Sequence, residues 1–274
     1  MKFGFVMNYD EVFNIARFSS EAEDAGWDGL FLSHCMWAAD TFVSLTVAAM
    51  HTKHIRLGTM LTPVSCIRPW KLASEVATLD NFSNGRVILT IGMGATDTGF
   101  SNYGEATDLR TRAELVDEAI DIMTNLWSGK SFSHNGTRYS VTVTDDDIFK
   151  IPAPVQQPRP PIWVVGVWPR PKSMRRVLRC DGLVPSPAES PEDVAAAKAW
   201  VEARRNSMTG FDIIIEGATS IDSSEARDQV QPWADAGATW WMESMWGTPD
   251  SEDWWKRMRQ GPPDLGSQVH QRVA

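Results

Sequence analysis

The sequence predicts a closed (β/α)8 TIM barrel, and two observations predict it. Eight short apolar runs alternate with eight amphipathic stretches, and the length of 274 residues suits one barrel, a fold that typically takes about 250 residues. Alternation of this kind gives a parallel sheet flanked by helices, and eight repeats close it into a ring. The runs expected as strands are 2–7, 29–33, 55–61, 86–93, 162–167, 182–185, 211–216 and 239–245. They are short and rich in Val, Ile, Leu, Phe and Trp, as strands buried on both faces should be.

Helices fall between them with recognisable ends. Residues 107–128 place Leu115, Ala119, Ile122, Met123 and Leu126 at helical spacing, with Gly129 as the stop. Residues 190–208 open with Ser190 as N-cap and Pro191 at the first helical position. Acidic residues follow in the first turn, where the helix dipole favours them. One segment breaks the alternation. Residues 130–160 carry an Asn135-Gly136 turn, an acidic cluster and a proline-rich return, read as an insertion over the top face between helix 4 and strand 5. A single domain is expected over 1–263, with a flexible tail over 264–274.

Composition narrows the function. A formal net charge of -9 speaks against a nucleic-acid partner, which needs a basic face. Three cysteines, Cys35, Cys66 and Cys180, form no close pair, so a reducing, cytoplasmic setting is expected. "MKFGFVM" enters a strand directly, and no apolar stretch is long enough for a membrane span. The thirteen tryptophans either line a pocket or fill a core.

The run "GRVILTIGMG" at 85–94 raises the question of a dinucleotide fingerprint. The third glycine of Gly-x-Gly-x-x-Gly is missing, since Asp97 holds its place. The first strand is followed by "NYDEVF" rather than by glycines, which argues against an NAD-dependent Rossmann dehydrogenase. In a barrel, Gly92 and Gly94 fall at the C-terminal end of strand 4, where such folds build their sites. They either leave bare backbone for a flat ligand or make a tight turn.

Other chemistries find little. His51 and His54 precede strand 3, on the bottom face, and no three ligands are placed for a metal. Gly-x-Ser-x-Gly is absent. His34, directly after strand 2, is either a hydrogen-bonded structural residue or part of a site. Glu216 and Glu243 end strands 7 and 8 and are either proton-transfer groups or anchors for neighbouring amides.

The stretch "IRLGTMLTPVSCIRPWKLASEVATLDNFSNGRVILTIGMG" at 55–94 resembles the bacterial luciferase-like monooxygenases, the flavin- and F420-dependent (β/α)8 oxidoreductases. Further matches are "AEDAGWDGLFLSH" at 22–34, "PPIWVVGVWP" at 160–169, "CDGLVPS" at 180–186 and "WADAGATWWMES" at 233–244. The resemblance implies a non-prolyl cis peptide between Met60 and Leu61, lying against the cofactor ring, with Thr62 beside it. It implies that His34 is catalytic, although Ser33 stands where an acidic residue often precedes it. Gly92, Met93 and Gly94 would bind the ring. Met93 replaces an arginine that helps hold the FMN phosphate in the luciferase branch. Phosphate binding then falls to the amides of Gly166, Val167 and Trp168, with Arg170 or Lys172 as partners.

The implied activity is an oxidoreductase with FMN or F420, oxygenating a small organic substrate or transferring hydride, with NAD(P)H as reductant in the FMN case. The resemblance also implies a homodimer through helices 2 and 3. A tryptophan-rich rim including Trp37 and Trp168 suggests an apolar or amphipathic substrate. The competing reading is a binding homologue that kept the barrel without turnover, for which Ser33 and Met93 speak.

Overall fold

Eight parallel strands close into a ring in the computed structural model, which describes every residue except 8, 148–149, 221–222, 247–250 and 266–274. They are β1 (Lys2–Met7), β2 (Gly29–Leu32), β3 (Arg56–Thr59), β4 (Val87–Gly92), β5 (Ile162–Gly166), β6 (Gly182–Pro185), β7 (Asp212–Gly217) and β8 (Trp240–Glu243). Each pairs with its neighbours in sequence, and β1 pairs with β8 to complete the barrel. The register sets Phe5 against Leu30, Leu30 against Leu57 and Leu57 against Val87.

The expected strand at 55–61 is corrected. β3 stops at Thr59, a cis peptide joins Met60 to Leu61, and the chain then pairs again with β4 through Thr62–Pro63.

Strand parity sorts the core into two layers. Leu30, Leu32, Val87, Leu89, Ile91 and Val164 face the helices, while Phe31, Ile88, Trp163, Ile214, Trp240 and Met242 fill the barrel axis. Phe31 stacks on Trp163 with centroids 5.4 Å apart, and Trp240 meets both rings edge-on. Room for these rings comes from inward glycines. A Cβ on Gly29 would lie 2.6 Å from the Phe31 ring, one on Gly58 2.4 Å from the Ile88 carbonyl, and one on Gly182 2.3 Å from Trp163. These two tryptophans therefore fill a core.

The helices are α1 (Ile15–Asp24), α2 (Thr41–His51), α3 (Pro69–Phe82), α4 (Leu109–Trp127), α5 (Pro171–Val177), α6 (Pro191–Glu202), α7 (Ser223–Asp235) and α8 (Ser251–Arg259). Asp108 caps α4 by accepting from Thr111 N at 2.8 Å. Ser190 caps α6 as expected, accepting from Asp193 N. α6 ends six residues before the predicted 208; beyond it, Arg205 turns back to donate to the carbonyls of Leu178 and Cys180.

"LDNFSNGR" is a structural hinge into β4. Asn84 and Gly85 take φ of 54° and 80°, the left-handed turn that ends a helix. Arg86, buried, donates to the carbonyls of Ser83, Ala49, Thr52 and Ile55. It thereby ties α2, α3 and the entry of β4 together.

The insertion is a hairpin, Phe132–Asn135 with Ser140–Val143, and its place differs from the expectation. It lies along the flank of α4 rather than over the top face. The Glu118 carboxylate accepts the amides of Thr137, Arg138 and Tyr139 and contacts the His134 ring. Arg138 adds bonds to Glu114 and Thr111, and Tyr139 meets Trp70 edge-on. One carboxylate satisfying three turn amides fixes the hairpin to the helix. Of the expected tail, Leu265 packs on the core and its carbonyl accepts from Arg227; residues 266–274 lie outside the described residues.

Candidate active site

The loops that follow β2, β3 and β4 enclose a cavity of about 890 Å3 at the C-terminal mouth of the barrel. That is within the size range of sites that bury an organic ligand. Of the residues singled out from sequence, Ser33, His34, Trp37, Met60, Leu61, Met93 and Gly94 line it, together with Phe100 and Trp246. The cis peptide Met60–Leu61 sits where the resemblance implies it.

His34 is held by a chain of threonines. Its Nδ1 lies 3.2 Å from Thr62 Oγ1, and Thr62 donates to Thr59 Oγ1 at 2.9 Å. Thr59 donates in turn to the Thr90 carbonyl at 3.0 Å. A carbonyl only accepts, so every hydroxyl proton in the chain is committed towards Thr90, and Thr62 must accept from His34. The imidazole therefore carries its hydrogen on Nδ1 whenever it is neutral, and Nε2 is the bare acceptor. Burial favours that neutral form and pushes the His34 pKa down to about 4, against a smaller opposing pull from Asp40. Thr62 is fully buried and does not line the cavity; what its side chain holds is His34.

Gly92 and Gly94 turn out to differ. Gly94 takes φ +75°, and a Cβ there would lie 2.6 Å from the Phe100 ring and 2.7 Å from Pro63, so it is a required tight turn that also borders the cavity. Gly92 does not line the cavity; a Cβ on it would come 3.0 Å from Leu61, so its bareness admits Leu61. The loop between them is clamped from beneath. Ser65 Oγ donates to the Met93 carbonyl at 2.8 Å, and buried Arg112 donates to the carbonyls of both Met93 and Gly94. Arg112 escaped the sequence reading, although a signal existed: it stands on the apolar stripe of α4, four residues before buried Val116.

The segment after β5 is less open than expected. Gly166 faces α5, where a Cβ would lie 2.5 Å from Leu183 and 2.9 Å from Val177. The Val167 amide donates to Ser173 Oγ at 2.9 Å, and Trp168 packs against the outer core. None of the three lines the cavity.

The two strand-end glutamates separate. Glu243 is fully buried and accepts from Thr219 N, Thr219 Oγ1 and Arg257; it is an anchor. Glu216 is exposed, accepts the Trp246 indole N–H, and lines a second cavity of about 410 Å3 that shares Met60, Leu61, Val165 and Trp246 with the first.

A tricyclic ring suits the larger cavity. Its wall is mainly apolar, and it includes Ser33, whose buried hydroxyl has no hydrogen-bond partner among the described residues. An orphaned hydroxyl at a cavity wall is available to a ligand.

The barrel fold agrees with what the comparisons with known proteins return. The luciferase-like monooxygenase family model matches residues 4–268, and the chain belongs to that family. The oxygenase component of the flavin-dependent trigonelline monooxygenase of Acinetobacter baylyi is 33% identical over 162 residues, 58% of this chain and 43% of that protein. The 5,10-methylenetetrahydromethanopterin reductase of Archaeoglobus fulgidus is 26% identical over 239 residues, 84% of this chain and 67% of its own. Among solved structures, the coenzyme F420-dependent tetrahydromethanopterin reductase of Methanopyrus kandleri superposes with a TM-score of 0.77 at 19% identity, covering 95% of this chain and 98% of that one, and shows the same fold. The chain spans about half the length of the first curated relatives it matches. Among the described residues no helix is long and apolar enough to cross a membrane.

Proposed function

We propose that this chain is an oxidoreductase that binds FMN or F420 at the barrel mouth and oxidises or reduces a small organic molecule there. The observation that carries the reading is the neutral His34, fixed in its Nδ1–H form by Thr62, on the wall of a cavity large enough for a tricyclic ring. Nothing in the comparisons speaks for a binding homologue without turnover.

Met60, Leu61, Met93 and Gly94 would hold the ring, and the buried Ser33 hydroxyl would meet a polar edge of ring or substrate. The ring supplies the redox chemistry, taking or giving hydride, or activating oxygen when it is a flavin. The protein contributes orientation, an apolar enclosure and His34, whose Nε2 accepts a proton or hydrogen bond from the reacting molecule. Exposed Arg170 and Lys172 at the start of α5 are the cations nearest in sequence to the end of β5, and they would meet the cofactor phosphate. With FMN, NAD(P)H would serve as reductant.

The same reading includes a cytoplasmic homodimer, with neither nucleic acid nor membrane as partner. The pairing is supported by α2, which has no Asp, Glu, Lys or Arg and exposes Val43 and Met50 two turns apart, with half-buried Thr46 and Val47 between them. The compartment is supported by three free cysteines.

The test is titration of the purified protein with FMN and, separately, F420, following cofactor fluorescence. Micromolar binding of FMN with NAD(P)H-dependent oxygen uptake identifies an oxygenase, and tight binding of F420 alone identifies a hydride-transfer enzyme. Binding of neither by folded protein overturns the proposal.

A further inference from the structure

The two cavities at the mouth adjoin, and their charge is lopsided. Among the described lining residues there is no lysine, arginine or aspartate, and a single glutamate, Glu216. His34 adds no positive charge at neutral pH, because burial keeps it uncharged. Around Glu216 the smaller cavity is otherwise apolar apart from Ser186, with Pro185, Pro187 and Ile215 on its wall. The indole of Trp246 donates to the Glu216 carboxylate and also borders the larger cavity. A molecule that reaches the carboxylate therefore also meets an aromatic ring.

This pairing discriminates by charge. A cation gains a Coulomb partner in Glu216 and the quadrupole of the indole, two attractions that act together. An anion meets a like charge and finds no counter-ion on either wall. The net charge of -9 adds a long-range field of the same preference.

We infer that the mouth selects organic cations, molecules with a quaternised or protonated nitrogen on an apolar body, and that Glu216 and Trp246 are its specificity-determining residues. The inference deepens the oxidoreductase reading and rests on it: the nitrogen sits at Glu216 and the apolar body extends past Met60 and Leu61 towards the larger cavity.

The test uses three probes of one shape class on the full chain, by isothermal titration: benzyltrimethylammonium, benzyl alcohol and benzoate. The cation is expected to bind about tenfold more tightly than the alcohol and more tightly still than benzoate. Glu216→Gln is expected to erase that preference while leaving benzyl alcohol unchanged; Glu216→Asp should retain part of it, and Trp246→Leu should weaken the cation several-fold. Glu216 is exposed, so its variants are expected to fold, which circular dichroism checks. Equal affinity for all three probes, or undiminished cation binding in Glu216→Gln, overturns the inference. FMN and F420 are titrated into the same preparations, so that loss of the oxidoreductase reading, no cofactor bound, is told apart from loss of charge selection, which the probe order alone decides.

Discussion

Thr62 Oγ1 accepts the Nδ1 hydrogen of His34, because its own proton is already given to Thr59. The tautomer of the one histidine on the cavity wall is thus set by a hydroxyl that never touches the cavity. Replacing His34 with Ala is expected to lower turnover by about a hundredfold or more and to leave the fold intact. Thr62→Val should lower it less, about tenfold, with KM little changed, and should raise the share of Nε2–H tautomer seen by nitrogen NMR. An unaltered tautomer ratio in Thr62→Val would refute the relay.

The same histidine gives a pH signature. Its folded pKa is about 4, below the ordinary 6.5, with burial as the main cause. The folded state thus favours the neutral ring: this stabilisation is complete above about pH 6.5 and is lost as pH falls through about 4. Urea unfolding at pH 7, 5 and 4 is expected to show a decline that His34→Gln flattens, and the His34 ring signals should titrate near 4.

Arg112 holds the loop on which Met93 and Gly94 sit. Arg112→Met leaves the Gly94 carbonyl without its donor and the Met93 carbonyl with Ser65 alone, and is expected to cost about 1–3 kcal/mol in denaturant unfolding. Cofactor affinity should fall with it, since the loop loses its clamp. Arg112→Lys should recover part of the stability, because one ammonium can reach a carbonyl but lacks the guanidinium fork.

Gly58 tests the barrel interior. Its Cβ would meet the Ile88 carbonyl at 2.4 Å and the Phe31 ring at 2.6 Å, so Gly58→Ala is expected to cost about 1–3 kcal/mol through overpacking. Pairing it with Phe31→Leu, which opens space for the methyl, should return part of that loss, and a thermal melt of the four proteins measures the coupling.

The outward face of α2 tests the dimer. Val43→Lys places a charge on the exposed stripe that Val43 shares with Met50, and it is expected to convert a dimer to monomer in light scattering with the fold retained. A wild-type protein that is monomeric over a broad concentration range would refute the pairing.

Much of this was legible in the residues. Strands buried on both faces are apolar throughout, so their number and order stand out, and the cap of α6 is written in Ser190. The cis bond was placed by resemblance rather than by local chemistry. The hairpin was misplaced because its position depends on Glu118, whose grip on three amides has no sequence pattern. Gly166 was misread against a signal that was present: Trp163 and Val165 point inward, so parity sends Gly166 outward to α5. The threonine relay joins positions 59, 62 and 90, and only the closure of β3 on β4 brings the last of them near.

Phe31, Trp163 and Trp240 stopper the barrel axis completely. The barrel axis is therefore closed to a ligand, and the mouth does not connect with the opposite face through it. What binds at the mouth then comes and goes by the face on which the βα loops lie.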